Sequence, residues 1–230
     1  MLARRCRAMR GRGILELFSE VAGQYDSWYD SPAGRVVLEV EASMLDEVLP
    51  SGIGVDVGAG TCRFAPFLSR GREIVCLEPA YGMLVYGYAR GRCEHPLCAT
   101  SENAPLRPSF DFAYMVTVLE FLEDPALSLT RIWEALKSGG LLAVLYVERD
   151  SKWGKLYSEL AEKGADPVLA RARFYSQPEV DKLLSAAGFE VREHLKSLDY
   201  EPLTVPAEKP RVYRESCADC GVTLTVAVKK

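Results

Sequence analysis

The hydrophobic positions along the chain change period repeatedly, from short apolar runs to segments with helical spacing. Buried strands are predicted near 53–57, 73–77, 95–98, 111–117 and 141–147. Helices are predicted near 62–70, 81–90, 125–137 and 178–187. A further helix is predicted upstream, because apolar residues recur there every 3 or 4 positions, at Val37, Val40, Met44 and Val48. This alternation predicts an α/β fold with a doubly wound, mostly parallel sheet and helices on both faces.

Three segments fall outside the alternation and are predicted to form lid and substrate-binding elements near 14–35, 150–176 and 200–216. The first is rich in aromatic residues, the second mixes aromatic and charged residues, and the third contains three prolines. In open α/β sheets, ligands bind at the carboxyl ends of the strands, where such segments would select the substrate. We expect a single domain over 14–230, because 230 residues are enough for one full core.

The first 13 residues carry five of the chain's basic side chains, Arg4, Arg5, Arg7, Arg10 and Arg12. They lack the apolar stretch of a secretory signal, which leaves a nucleic-acid arm, a mitochondrial-type presequence or, as we favour, a disordered leader, with Met9 as an alternative start. Without these arginines the formal charge falls from −4 to −9. Because an acidic body repels phosphate backbones, no nucleic-acid partner is expected. No run of 18 apolar residues exists, so we expect no membrane partner and a cytoplasmic location.

Amides and cysteines suggest the conditions in which the chain works. Asn103, Gln24 and Gln177 are its only amide residues, and such scarcity is one sign of a thermophilic source. Among the seven cysteines, two close pairs occur, Cys93 with Cys98 and Cys217 with Cys220. A zinc site built from both pairs, a short disulfide and free thiols are the alternatives, and we predict no metal.

The segment from Val55 to Phe64 carries the most specific chemistry. It is predicted to be a buried strand that runs into a tight turn at Gly58 and Gly60 and then into a helix, so that the turn approaches a ligand closely. Glu78 ends the next strand, 18 residues after Gly60, where nucleotide sites place a carboxylate that accepts ribose hydroxyls. Arg63 occupies the third glycine position of a dinucleotide fingerprint, which disfavours a pyrophosphate ligand.

Together with the segments around 99–106, 110–125, 136–144 and 186–191, this turn resembles the class I S-adenosylmethionine (SAM)-dependent methyltransferases of the small-molecule, methyltransferase-11-like type. The resemblance covers roughly residues 25 to 195. It implies a seven-stranded Rossmann-like sheet whose last strand, near 222–228, is antiparallel. Thr100 stands where the family usually carries an Asp, which transfers adenine recognition to its neighbours. The resemblance implies a SAM site formed by Asp56, Gly58, Ala59, Gly60, Glu78, Pro79, Met83, Ser101, Glu102 and Thr117.

Methyl transfer from a sulfonium is an in-line displacement with a neutral leaving group, so positioning and exclusion of water can supply most of the acceleration. The acceptor is expected to be an unidentified small molecule, and neither a catalytic base nor an oligomeric state is predicted. Candidate lid or substrate residues are Tyr25, Trp28, Tyr29, Arg35, Glu120 and Tyr146. Two alternatives remain open, a non-catalytic SAM- or nucleoside-binding regulator and an NAD-dependent oxidoreductase.

Overall fold

A computed structural model describes residues 13–164, 166–214 and 216–230. The predicted leader therefore lies outside the described residues, apart from residue 13. Within these ranges, seven strands form one sheet in the order β3-β2-β1-β4-β5-β7-β6. The strands are β1 (Gly52–Val57), β2 (Arg72–Leu77), β3 (His95–Leu97), β4 (Phe110–Val116), β5 (Leu136–Val147), β6 (Phe189–Ser197) and β7 (Val222–Lys229). The helices are α1 (Ile14–Trp28), α2 (Pro32–Val48), α3 (Ala65–Leu68), α4 (Tyr81–Tyr88), α5 (Pro125–Ala135), α6 (Lys152–Glu162) and α7 (Gln177–Ala186).

The doubly wound sheet predicted from the alternation is confirmed. β1 pairs in parallel with β2 and β4, and β7 is antiparallel to both β5 and β6. One apolar layer packs α2 against the sheet, and the opposite layer packs α5 and α7 against it. The face predicted for α2 is correct, since Val37, Val40 and Met44 are buried and Val48 is partly buried. No helix in the described ranges is both long and apolar enough to cross a membrane.

Helix starts follow the local sequence. Ser31 caps α2 by accepting a hydrogen bond from the Gly34 N–H at 3.1 Å, and Asp124 caps α5 in the same way from Leu127 at 2.9 Å. In both helices the following residue is proline, which is tolerated in the first turn.

Two predicted boundaries were wrong. The helix predicted over 62–70 is only the single turn α3, because the backbone at Cys62 is left-handed (φ +53°) and the turn continues to that point. β5 begins at Leu136 rather than 141, with a register shift opposite Phe110 and Phe112.

Candidate active site

The glycine turn follows β1 at the carboxyl edge of the sheet. Gly58 and Gly60 both have positive φ, +69° and +54°, which favours residues without a Cβ. The Gly58 N–H donates to the Leu77 carbonyl at 2.7 Å, so the turn is fixed to the end of β2. A Cβ at Gly58 would lie 2.6 Å from Val118, whereas one at Gly60 would meet only the Tyr25 ring, at 3.8 Å. Gly58 is thus required by packing, and Gly60 leaves open space.

Glu78 faces the turn, as the sequence predicts. Its Oε2 accepts from the Gly60 N–H at 2.8 Å, and its Oε1 accepts from the Ala80 N–H at 2.6 Å. Burial raises the pKa of Glu78 to about 7, and these two backbone donors oppose the rise. A carboxylate has about four acceptor positions. Two therefore remain for sugar hydroxyls, the role that we predict for this residue.

A cavity of about 1320 Å³ begins at this turn and extends beneath α1 and α6. Most of the predicted SAM residues line it: Gly58, Gly60, Glu78, Pro79, Met83, Ser101, Glu102 and Thr117. Thr117 ends β4 in a left-handed conformation (φ +50°), a strained backbone state that clusters at functional sites. No sequence signal marks this strain.

Asp56 and Ala59 do not line the cavity, which corrects the prediction of direct cofactor contact. The Ala59 N–H donates to the Leu77 carbonyl at 3.0 Å, and its side chain packs on the core. Asp56 lies beneath the turn, because side chains alternate between the faces of a strand and its own face is turned to the core. Burial raises the pKa of Asp56 to about 8, and the neighbouring Tyr114 hydroxyl opposes this rise. Support of the glycine turn remains our interpretation of Asp56.

Aromatic side chains line the other end of the cavity. Tyr25 and Tyr29 stand one turn apart, with hydroxyl oxygens 3.3 Å from each other, and Trp28 packs edge-on against Tyr29. The segment predicted as a second lid adds three more rings, Trp153, Tyr157 and Phe174. The lid roles of Tyr25, Trp28 and Tyr29 stay predictions, but all three side chains line the cavity.

Three other candidate substrate residues do not line it. Arg35 is exposed and donates to the Asp30 carbonyl at 3.3 Å. Tyr146 is fully buried in the core, with its hydroxyl 3.4 Å from Thr225 Oγ1, because its position in β5 points away from the cavity. Glu120 is buried and accepts from the Val147 N–H at 2.9 Å. The lining of the cavity thus gives no support to their assignment to the substrate site, which stays a prediction.

Glu41 is among the cavity residues that were not predicted from the sequence. Glu41 is only 3% exposed and lines the cavity from α2. Burial, helped by the nearby Glu120, raises its pKa to about 8. Its position was a usable signal, because it lies four residues after Val37, in the middle of the apolar face.

Helix α1 is joined to the glycine turn by a buried carboxylate. Asp26, 2% exposed, accepts from Thr61 Oγ1 at 2.7 Å and forms ion pairs with Arg63 and Arg92. Burial is the largest single influence on the pKa of Asp26 and acts to raise it. The hydrogen bonds and charges of these three partners together outweigh burial, so the pKa is lowered. The arginine that replaces the third glycine therefore helps to anchor α1. From the sequence, Arg63 was predicted only to disfavour a pyrophosphate ligand.

The cysteines do not form the zinc site that was one alternative. Cys217 and Cys220 are joined in a disulfide, and Cys93 is a free buried thiol. An unexpected cluster lies in the core, where the Sγ atoms of Cys62, Cys76 and Cys93 are all within 4.8 Å of one another.

Comparison with known proteins identifies this architecture. Residues 55–144 match a family model described as a methyltransferase domain. A structure from Thermotoga maritima, described as a SAM-dependent methyltransferase and possible histamine N-methyltransferase, is 32% identical and superposes with a TM-score of 0.84. It covers 94% of this chain, and this chain covers 100% of it. The chain belongs to the SAM-dependent methyltransferases.

Two curated relatives of the methyltransferase are uncharacterised. A protein of Methanocaldococcus jannaschii is 30% identical over 76% of this chain and 82% of its own length. One of Mycobacterium tuberculosis is 32% identical over 74% of this chain, which spans 59% of the relative. The family confirms SAM as the cofactor and makes the NAD-dependent alternative wrong.

Proposed function

We propose that the methyltransferase transfers the methyl group of SAM to a small molecule enclosed in the cavity, by in-line displacement. The observation that carries this proposal is the continuity of the cavity. A single space joins the glycine turn and Glu78 to the aromatic rings of α1 and α6. A donor bound at one end would thus face an acceptor bound at the other, inside a mostly apolar space.

The residues at the turn fit SAM. Glu78 keeps acceptor positions for the ribose hydroxyls, and the absent Cβ of Gly60 leaves room for the methionine portion. Met83, Ser101 and Glu102 line the wall proposed for the adenine. Thr117, at the end of β4, lies on the side proposed for the sulfonium.

When bound, SAM supplies an electrophilic methyl group on a positively charged sulfur with a neutral leaving group. The protein's contribution is to hold the two reactants in line and to exclude water. The tyrosines of α1 suit this role, because aromatic faces attract a cation and their rings cover the cavity. The ion pairs of Asp26 with Arg63 and Arg92 fix α1 against the rest of the domain.

Isothermal titration calorimetry with SAM tests the cofactor site. We expect micromolar binding, about −8 kcal/mol. Glu78→Ala should weaken it at least tenfold, because two charge-assisted hydrogen bonds to the sugar are lost. Glu73→Ala is the control, since Glu73 is an exposed glutamate on β2, the strand that Glu78 directly follows. Wild-type protein that gives no heat after removal of co-purified ligand would count against the proposal.

Turnover then separates an enzyme from a non-catalytic SAM-binding regulator. S-adenosylhomocysteine release is measured over a panel of small acceptors. The description of the Thermotoga relative places amines in that panel. SAM binding with no turnover on any acceptor would favour the regulator.

A further inference from the structure

Glu41 is a buried carboxyl group without a hydrogen-bond or ion-pair partner among the described residues. It lines the cavity and is 3% exposed, yet no group in the described part of the chain donates a hydrogen bond to it or pairs with it. Glu78 provides the contrast, because each of its carboxylate oxygens accepts from a backbone N–H. A buried polar group without a partner is costly, and such groups in native proteins call for an explanation. A ligand is the explanation that its place on the cavity wall favours.

Glu41 belongs to the aromatic end of the cavity. Burial is the main reason that the pKa of Tyr25 rises to about 12, and the carboxyls of Glu41, Glu78 and Asp56 all add to the rise. Tyr157 also has a pKa raised by burial, but of these three carboxyls only Glu41 adds to it. The packing agrees with this placement. Val37, one turn before Glu41, belongs to the same apolar cluster as Tyr29, against which Tyr25 and Tyr157 pack. We therefore assign Glu41 to the aromatic, acceptor side of the cavity.

The charges of the whole cavity favour a cation there. Among the described residues that line it, none is a lysine, arginine or histidine. Carboxyl side chains are numerous by contrast: Glu41, Glu78, Glu102, Glu123, Asp124 and Asp166. Anionic acceptors such as phosphates and carboxylates would be repelled, whereas a cation is attracted both by these charges and by the aromatic faces.

We propose that the methyl acceptor is a cationic amine whose nitrogen is held by the carboxyl of Glu41 among the rings of Tyr25, Tyr29 and Tyr157. The inference rests on the proposed function. It makes Glu41 both the counter-ion of the amine and the acceptor of its proton. Two other titratable groups interact with Glu41: Glu120, which raises the pKa of Glu41, and Tyr200, whose own pKa Glu41 raises.

The reaction balances without any further reagent. The ammonium gives one proton to the Glu41 carboxylate and becomes a neutral amine. Its lone pair forms the new bond to the methyl carbon, while the carbon–sulfur bond breaks and its electron pair stays on sulfur. The products are the methylated ammonium and neutral S-adenosylhomocysteine, and Glu41 then releases its proton to solvent.

Calorimetry on the full chain saturated with S-adenosylhomocysteine tests the inference. The probes are propylamine, benzylamine and 2-phenylethylamine, each compared with the alcohol that carries a hydroxyl in place of the amino group. At least one amine should bind tenfold or more tightly than its alcohol. Binding at pH 7 should release close to one proton, measured in two buffers of different ionisation enthalpy, because the free Glu41 carboxyl is largely protonated there.

Glu41→Gln should abolish the preference for the amine while leaving binding of the alcohols unchanged. Glu39→Gln, an exposed change on the same helix, should preserve it. The inference is overturned if no amine binds at millimolar concentration or if amine and alcohol bind equally. It also fails if Glu41→Gln keeps the preference, or if that variant loses SAM affinity, which would make Glu41 a partner of the cofactor's own amino group. Absence of S-adenosylhomocysteine binding to wild-type protein would instead refute the proposed function.

Discussion

The two ends of the cavity are built in different ways. At the cofactor end, strand ends and backbone groups form the surface, and the one central carboxylate, Glu78, is fixed by the N–H groups of Gly60 and Ala80. At the acceptor end, helix side chains form the surface, and the central carboxyl of Glu41 has no partner in the described chain. Under the proposed function, chemistry common to the family would rest on rigid strand ends, and acceptor choice would rest on side chains that can change without altering the sheet.

Burial raises the pKa of both carboxyls by similar amounts, but the two groups differ in what surrounds them. Burial raises the pKa of Glu78 to about 7 and that of Glu41 to about 8. At the cofactor end, backbone donors restrain the rise, so Glu78 is prepared to accept hydrogen bonds near neutral pH. At the acceptor end nothing restrains it, which leaves Glu41 able to exchange a proton with what binds there.

The largest expected effect is a fall in stability as pH rises. A carboxyl whose pKa is raised by folding stabilises the protein fully below its unfolded value, near 4.5 for Glu41, and this contribution is lost as pH rises through about 8. For Glu41 alone the loss is about 5 kcal/mol over that window. Urea unfolding at pH 5, 6.5 and 8 measures it.

Glu41→Gln isolates the contribution of Glu41 to the pH dependence of stability from those of the other buried carboxyls. The variant should lose Glu41's share of the pH dependence and be more stable than wild type at pH 8, whereas Glu39→Gln should follow wild type. Asp56, Glu78 and Glu120 keep their own shares, since burial raises their pKa values as well. Equal pH slopes for Glu41→Gln and wild type would show that Glu41 is already charged in the folded protein.

The next largest effect concerns the buried ion pairs of Asp26, which connect α1 to the glycine turn. Asp26→Ala should lower the free energy of unfolding by about 3–5 kcal/mol, because it leaves two arginines without their shared buried partner. Asp30→Ala removes only an exposed partner of Arg63 and should cost less than about 1 kcal/mol. Thermal unfolding with and without SAM measures both variants. If the two variants lost equal stability, the buried network would not be what anchors α1.

The cofactor end could be predicted from sequence because its chemistry is tied to local backbone geometry. Glycines at 58 and 60 indicate a turn with positive φ, which the structure has at both residues. Glu78 follows at the spacing of one strand–helix–strand unit. The acceptor end could not, because it depends on which helical faces meet across the sheet edge. Tyr146 illustrates the failure, since its place in a strand was predicted correctly but its side chain is fully buried in the core rather than exposed to the cavity. Glu41 was missed for a related reason, as a charge on an apolar face has no defined partner until the fold is known.

The smallest expected effect separates packing from binding within the glycine turn. Gly60→Ala adds a methyl group that meets only the Tyr25 ring, at 3.8 Å, so we expect a stability cost of about 1–2 kcal/mol for the left-handed backbone. SAM affinity should fall roughly tenfold, about 1.4 kcal/mol, because the methyl group enters the space left for the cofactor.

Gly58→Ala is the matched comparison, because its Cβ would lie 2.6 Å from Val118. This variant should lose more stability than Gly60→Ala, since the left-handed strain is joined by a clash with a packed side chain. Chemical unfolding and SAM titration of both variants measure the two effects. Alcohol probes should bind Gly60→Ala as they bind wild type, because the added methyl group lies at the cofactor end. If Gly60→Ala weakened alcohol binding as much as SAM binding, the two ends would not be separate sites and the division of the cavity would be wrong.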